Sequence, residues 1–373
     1  MNTTQRTTEV GASWLEQGKR VVCALLIEVE GSAPLDAGAS MLVAESGEIE
    51  GSITGGCVEG AVATEARNVL AGGPPRTVTY GISDQLAGTV GLTCGGTVHI
   101  FVHELSGAAG DVELAARRAI AAGRPVAVAT LLDGAGAGSK LAVIDGEAVG
   151  SLRGPELLDA SVTRDAAGLL AQGRTGIRRY GADGAVLGAE LAVHVRSFAT
   201  PPRMLIFGAI DFSAALAPLA AALGYRVTIV DPREPFIRSP RYASVAEIVV
   251  GWPQDALEGH ELGPRDAILV FTHDPKLDEP ALRGALATGA GYIGALGSRK
   301  TTADRNRRLL ELGVREAELA RVMAPCGLDI GSSTPEEAAI AILAEIVARR
   351  NGRGGEPLVG VRGAIHAHLG GDA

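Results

Sequence analysis

The feature that most narrows the fold lies in the second half of the chain, where short, continuous apolar runs alternate with helical stretches. RMLIFGA ends in Gly208, a helix follows to about Leu223, and RVTIVD then ends in Asp231. Apolar runs without period-two alternation are strands buried on both faces, and strand, helix and strand in succession make a βαβ opening. Further apolar runs at 247–250, 267–271 and 291–295 keep this rhythm. It predicts a parallel, doubly wound sheet, a Rossmann-like domain. Thr334-Pro335-Glu336-Glu337 announces the last helix, with an N-cap threonine, proline at the first helical position and glutamate at the third.

The first half reads as α+β. Strands are expected at 20–30, 97–105, 125–132, near 175 and at 190–197, a hairpin at 39–44 with 49–53, and helices at 57–70, 112–122 and 156–172. Two prolines in ATPPR, residues 199–203, break the pattern. The fold class is therefore α/β, with an N-terminal α+β domain over 1–198 and the Rossmann-like doubly wound parallel-sheet domain over 199–373. A length of 373 residues fits two such cores. No repeat of solenoid or propeller period is found, and DGAGAGSK at 133–140 reads as a flexible hairpin loop.

Composition removes several classes of function. A net charge of -9 would repel a phosphate backbone, and aromatics at 3% leave little to stack on bases, so no nucleic acid is expected. No run approaches the roughly 18 apolar residues that a membrane span needs. MNTTQRTTEV has no apolar leader core, and a cytoplasmic protein is expected. Cys23, Cys57, Cys94 and Cys326 are widely spaced, which predicts free thiols.

The Gly208 turn invites a dinucleotide, because Asp231 stands where an acid would take a ribose hydroxyl. The fingerprint is broken: Ile210 stands where a second glycine lets the pyrophosphate approach, and Asp211 puts a carboxylate at the helix start. The segments after two other strands are richer. Thr272-His273-Asp274-Pro275-Lys276 and Leu296-Gly297-Ser298-Arg299-Lys300-Thr301 should both open at the carboxyl edge of the sheet. Asp274 and Ser298 can be plain helix caps. Arg299 and Lys300, however, oppose the helix dipole and fit better around an anion.

In the first half, Gly55-Gly56-Cys57 is answered by Cys94-Gly95-Gly96. A free cysteine is often a small buried hydrophobe. Glycines, though, permit close approach, and a helix start favours the thiolate that attacks or binds metal. Glu59 in the first turn favours the helix and opposes the thiolate. No C-x-x-C exists, and His99 and His103 lack a matching ligand pair, which opposes a zinc site. No histidine is marked by spacing as the base of a Cys/His hydrolase.

Together these segments resemble the XdhC/CoxI family, accessory factors of xanthine dehydrogenase and carbon monoxide dehydrogenase. GSAPLDAGASMLV, GSITGGCVEG and GLTCGG resemble its N-terminal elements; RMLIFGA, VTIVDPRE, FTHDPKLDEPAL, YIGALGSRK and APCGLDIGSSTPEEAAIAILAEI resemble its Rossmann-type domain. The resemblance implies a factor that binds the molybdenum cofactor, helps it acquire sulfur from a donor such as a cysteine desulfurase, and inserts it into a molybdenum hydroxylase. It implies a homodimeric chaperone more than an enzyme. Cys57 and Cys94 would then handle sulfur, with Gly55, Gly56, Glu59, Gly95 and Gly96 around the cofactor. Gly208, Asp231, His273, Lys276, Ser298, Arg299 and Lys300 are the corresponding positions in the second domain. The family more usually has a second glycine and a histidine where this chain has Ile210 and Asp211, so NAD(P) is not expected. The rival readings are an NAD(P)-dependent oxidoreductase and a scaffold that recruits client and sulfur donor without touching the cofactor.

Overall fold

The computed structural model describes residues 3–31, 33–81, 96–242, 247–258 and 261–361. They fall into two compact units that meet in sequence at Thr200 and Pro201.

The first unit runs α1 (Thr3–Glu16), β1 (Val21–Glu30), β2 (Ser40–Ala44), β3 (Ile49–Gly51), α2 (Glu59–Leu70), β4 (Arg76–Tyr80) and β5 (Thr97–Leu105). It continues with α3 (Ala108–Ala121), β6 (Val126–Leu131), β7 (Lys140–Ile144), β8 (Glu147–Gly150), α4 (Leu158–Gln172), β9 (Gly176–Tyr180) and β10 (Leu191–Phe198). The strands form two antiparallel sheets, ordered β3-β2-β1-β5-β4 and β8-β7-β6-β10-β9. Helix, three strands, helix and two strands are thus laid out twice, in the same order and with the same pairing. Correspondence extends to single residues. Gly51 and Gly150 both close the third strand, with φ of 90° and 89°. A Cβ would collide with the carbonyl oxygen of Ser40 at the first and of Lys140 at the second.

Each sheet buries both faces. In the first, Val22, Ala24 and Leu26 pack on Val62, Ala63 and Ala66 of α2. The alternate residues Val21, Cys23 and Leu25 pack on Trp14 and Phe101, and meet Leu132 and Ile177 of the second copy. In the second sheet Ala127, Ala129 and Leu131 face Val162, Ala166 and Leu169 of α4, while Val126 and Val128 face α3.

Charged residues are buried in this unit as well. Lys140 Nζ donates to Glu113 Oε1 at 2.7 Å and to Thr130 Oγ1 at 3.1 Å. Arg196 Nη2 reaches the same carboxylate at 3.2 Å. Burial pushes the Glu113 carboxyl upward, but Lys140 and Arg196 outweigh it and the net shift is down. His103 and His194 are fully buried, and none of their ring nitrogens has a hydrogen-bond partner among the described residues.

The second unit runs β11 (Arg203–Phe207), α5 (Asp211–Ala222), β12 (Arg226–Val230), α6 (Glu234–Ile237), β13 (Glu247–Val249), α7 (Pro253–Leu257) and β14 (Ala267–Val270). It continues with α8 (Pro275–Leu286), β15 (Tyr292–Ala295), α9 (Arg299–Glu311), α10 (Glu316–Leu319), β16 (Val322–Met323) and α11 (Pro335–Arg350). Six parallel strands lie in the order β13-β12-β11-β14-β15-β16, the expected Rossmann-like sheet. Strand order reverses between β11 and β14, which makes their carboxyl ends the topological switch point. Helix α11 starts as its sequence announces: Glu337 N donates to Thr334 Oγ1, and the Glu337 carboxylate receives the Thr334 N–H. Among the described residues no helix is long and apolar enough to cross a membrane.

The sequence reading does not anticipate α1, β4, β7 or β8, and it finds no repeat. Copies about a hundred residues apart share a burial pattern more than they share residue types, which a search for short periods does not register.

The two buried imidazoles generate a pH dependence. Burial first, then Arg196 and Lys140, lowers the His194 pKa to about 3, and His103 is lowered by burial and the same cations. The folded state therefore binds fewer protons than the unfolded chain below an unfolded pKa of about 6.5. Stability is complete above that value and falls as pH drops toward the folded value. Neutral His194 alone should withdraw about 2 kcal/mol between pH 7 and pH 5. In the first copy Phe101 pairs with Leu25 at the register where His194 pairs with Thr130. His194→Phe should accordingly flatten the loss, read as urea midpoints at the two pH values; an equally steep loss in the variant would refute this origin.

Candidate functional site

The turn between β3 and α2 is closed by one carboxylate. Glu59 Oε1 accepts hydrogen bonds from Ser52 Oγ at 2.7 Å, Ile53 N at 3.0 Å and Thr54 N at 2.8 Å. Its Oε2 accepts from Thr54 Oγ1 at 3.0 Å, Gly56 N at 2.9 Å and Val58 N at 3.1 Å. Burial pushes the Glu59 carboxyl up, but this set of donors wins and brings it down to about 2. The residue expected to contact a cofactor thus spends its oxygens on holding the loop. It also takes backbone N–H groups that would otherwise surround an anion or a thiolate.

Gly55 and Gly56 have φ of 76° and 120°, and nothing lies within 4 Å of where a Cβ would stand on either. They are glycines for backbone conformation and open space, not for packing. Cys57 follows them half-buried, two residues before α2 begins and against the core of the first copy. Its sulfur is a free thiol, as are those of Cys23 and Cys326. Burial pushes the Cys23 thiol up, and burial followed by Glu345 raises Cys326 to about 12, which leaves both unreactive.

The second copy serves as an internal control. Its turn between β8 and α4 is closed from the helix start too, by Asp159 Oδ1 accepting from Leu152 N at 2.9 Å. At the corresponding place it has Gly154-Pro155-Glu156. The same strand, turn and helix therefore form without a second free glycine and without a thiol. Cys94 and Gly95 lie outside the described residues; Gly96 is buried immediately before β5. His99 bridges Thr79 Oγ1 at 3.1 Å and Glu30 at 3.2 Å, and among the described residues no group of three or more His, Cys, Asp or Glu could hold a metal ion.

In the second unit Gly208 has φ of 116°, and a Cβ there would stand 2.8 Å from Thr272 Cγ2. Packing of β11 on β14 explains this glycine without a ligand. Asp231 is fully buried, and its carboxylate accepts from Ala209 N at 2.8 Å and from Arg233 N, Nε and Nη2 at 2.8, 2.9 and 2.7 Å. Asp211 differs from the sequence expectation: it is exposed and pairs with Arg241 instead of capping α5.

At the carboxyl ends of β14 and β15 the helices α8 and α9 begin side by side, capped by Asp274 and Ser298, which accept from Lys276 N and Thr301 N at 3.0 and 3.1 Å. His273, Lys276, Ser298, Arg299 and Lys300 are all exposed there. Beneath them lies a residue that sequence reading missed, Arg305, which is fully buried. RKTTADRNRRLLE reads as a surface helix, and nothing within it marks which arginine turns inward.

Comparison with known proteins agrees with this architecture. The family model for the XdhC and CoxI family matches residues 14–81 and 119–181, one stretch in each copy. That for the XdhC Rossmann domain matches residues 204–346. The chain is 27% identical over 341 residues to a probable xanthine dehydrogenase subunit of Bacillus subtilis (strain 168), covering 90% of this chain and 95% of that one. It is 28% identical over 336 residues to "Molybdenum cofactor insertion chaperone PaoD" of Escherichia coli (strain K12), covering 90% and 85%. A crystal structure titled as a xanthine dehydrogenase from Bacillus halodurans shares the fold, with a TM-score of 0.61 at 24% identity over 93% of this chain and 96% of that one.

The Glu59 clamp has a measurable signature. Its pKa is depressed in the fold, so its contribution is complete above an unfolded value of about 4.3 and is lost as pH falls toward 2. Glu59→Gln, which exchanges acceptors for a donor, should cost about 2 to 3 kcal/mol at pH 7. It should also speed alkylation of Cys57 as the loop loosens. A variant with wild-type urea midpoint and alkylation rate would show that the clamp does not hold the loop.

Proposed function

The chain belongs to the XdhC and CoxI family, and from that membership we propose that it matures a molybdenum hydroxylase by binding the molybdenum cofactor, supporting its sulfuration and inserting it into the client. The observation that carries this reading is the comparison of the two copies in the first unit. Both fold the same strand, turn and helix, and only the first carries Gly55-Gly56-Cys57 on an open loop. The fold does not require that thiol, which favours a functional reason for it.

Cys57, with Cys94, is assigned to the sulfur and metal chemistry. The cofactor presents a metal held by soft dithiolene sulfur, for which thiolates are matched ligands. Gly55 and Gly56 allow close approach, Gly95 and Gly96 are assigned with Cys94 to the same cofactor, and Glu59 keeps the loop in shape. In the second unit His273, Lys276, Ser298, Arg299 and Lys300 form a cationic cluster suited to an anion. The partners implied are the hydroxylase client, a cysteine desulfurase as sulfur donor and a second copy of this chain, in the cytoplasm.

An NAD(P)-dependent oxidoreductase is disfavoured by the Gly208 turn. Ile210 occupies the second glycine's place, and the Asp231 carboxylate is taken up by Ala209 and Arg233. Gly208 and Asp231, both counted as cofactor positions from the sequence, are assigned structural roles.

Purification from cells that make the cofactor, with pterin fluorescence and molybdenum assayed together, tests the proposal. Wild type should carry both in fixed ratio. Cys57→Ser should carry at least about tenfold less, a loss of some 1.4 kcal/mol or more. Wild-type protein empty of pterin, or a fully loaded Cys57→Ser, would sink the assignment, and saturable micromolar NADH binding would revive the oxidoreductase.

A further inference from the structure

Arg305 is fully buried in the second unit, and its Nε and Nη2 have no hydrogen-bond partner among the described residues. Helical side chains lean toward the N-terminus, so an inward arginine in the second turn of α9 delivers its guanidinium beneath the first. Nη1 donates to Leu296 O at 3.0 Å, and Nη2 lies 3.9 Å from where a Cβ of Gly297 would stand. The facing acid, Asp278, is 3.4 Å from Nη1 and also receives the Thr272 hydroxyl. Burial pushes the Asp278 carboxyl upward against Thr272 and Arg305, so this carboxylate is a strained counter-charge. A guanidinium out of water with two nitrogens unpaired is costly and is seldom kept without a reason.

The groups above it share one preference. Ser298 Oγ takes the Thr301 N–H, which leaves the amides of Arg299 and Lys300 at the start of α9 outside the cap. The side chains of Arg299, Lys300 and Lys276 are exposed beside them, where cations oppose the helix dipoles unless an anion lies between. Asp274 is committed to capping α8.

We infer that the carboxyl ends of β14 and β15 form a phosphate subsite, with the first-turn amides of α9, Arg299, Lys300 and Lys276 around the phosphate and Arg305 as the buried charge beneath it. The inference rests on the reading of this crevice given above and deepens it, naming a phosphoryl group as the ligand class; it does not depend on molybdenum or on Cys57. Arg305 acts from behind Gly297 as a positioning residue, fixing the β15–α9 turn and adding charge where no solvent screens it.

Titration of the full chain at low salt with inorganic phosphate, pyrophosphate and a nucleoside monophosphate, followed by ³¹P line broadening and calorimetry, tests it. Wild type should bind at least one probe with an affinity that falls as salt rises. Arg299→Gln with Lys300→Gln, both exposed, should weaken it about tenfold or more without moving the melting temperature. Arg305→Lys, which keeps the charge and loses the fork, should weaken it several-fold. Preference for the nucleoside monophosphate over pyrophosphate by more than tenfold would identify a nucleotide's phosphate, and parity would identify a simple phosphate group; either supports the subsite. No binding of any probe to wild type, or wild-type affinity in the double variant, overturns it. Since cofactor loading is read by pterin and metal and through Cys57, its success or failure is separable from this result.

Discussion

One carboxylate holds the part of this protein on which its proposed activity depends. A turn with consecutive positive-φ glycines has little conformational preference of its own, and ordering it carries an entropic cost. Glu59 meets that cost by accepting hydrogen bonds from Ser52, Ile53, Thr54, Gly56 and Val58, so the loop is wound around a single acceptor. Cys57 gains a defined position next to the core while its glycine neighbours stay uncovered. A loop held from inside by its own acid needs no ligand to be ordered.

The duplicated first unit shows how one loop can differ between copies without risk to the fold. Both copies need the glycine that ends the third strand, because a Cβ would strike the neighbouring strand in each. Both use an acid at the helix start to hold the turn. Beyond these shared devices the second copy is free to differ, and it places Lys140 and Arg196 around Glu113 where the first copy has the uncharged Ser40 and the buried His103. The buried ionic cluster is a weak source of stability in itself, because desolvation offsets most of the attraction. Its effect is to make the two copies chemically unequal where their packing is otherwise alike.

Much of this was legible in the sequence, for identifiable reasons. RMLIFGA and the apolar runs after it have no alternation, so they read as strands of a parallel sheet, and Thr334 with Glu337 forms the capping box that its spacing announces. The GGC turn was legible as a glycine-rich junction ahead of a helix. What could not be read were effects that need distant residues to meet. Glu59 looks like an ordinary first-turn acid until the loop folds back on it, and Asp211 looks like a cap until Arg241 arrives from thirty residues on. Arg305 sits among polar residues that give no inward signal, and its burial depends on Asp278 and Leu296 from other elements. Helix α1, TTQRTTEVGASWLE, is too polar in its first half to be recognised by periodicity alone.

The Rossmann-like unit illustrates the same separation of fold from site. In such sheets the switch point is where a ligand is expected, and here it lies at Gly208 and Thr272. That place has been given over to the protein itself: Gly208 is packed on Thr272, and Asp231 is closed by Ala209 and Arg233. A carboxylate that accepts four donors from its own chain has little to offer a ribose. A buried guanidinium with two unpartnered nitrogens and exposed cations at a helix start sit one strand along, beside β15. A buried donor without an acceptor is costly and asks for a reason, whereas a satisfied carboxylate is what a structural position looks like. By that criterion the proposed phosphate subsite belongs on the β14–β15 side of the sheet, although the strand order puts the switch point at β11 and β14.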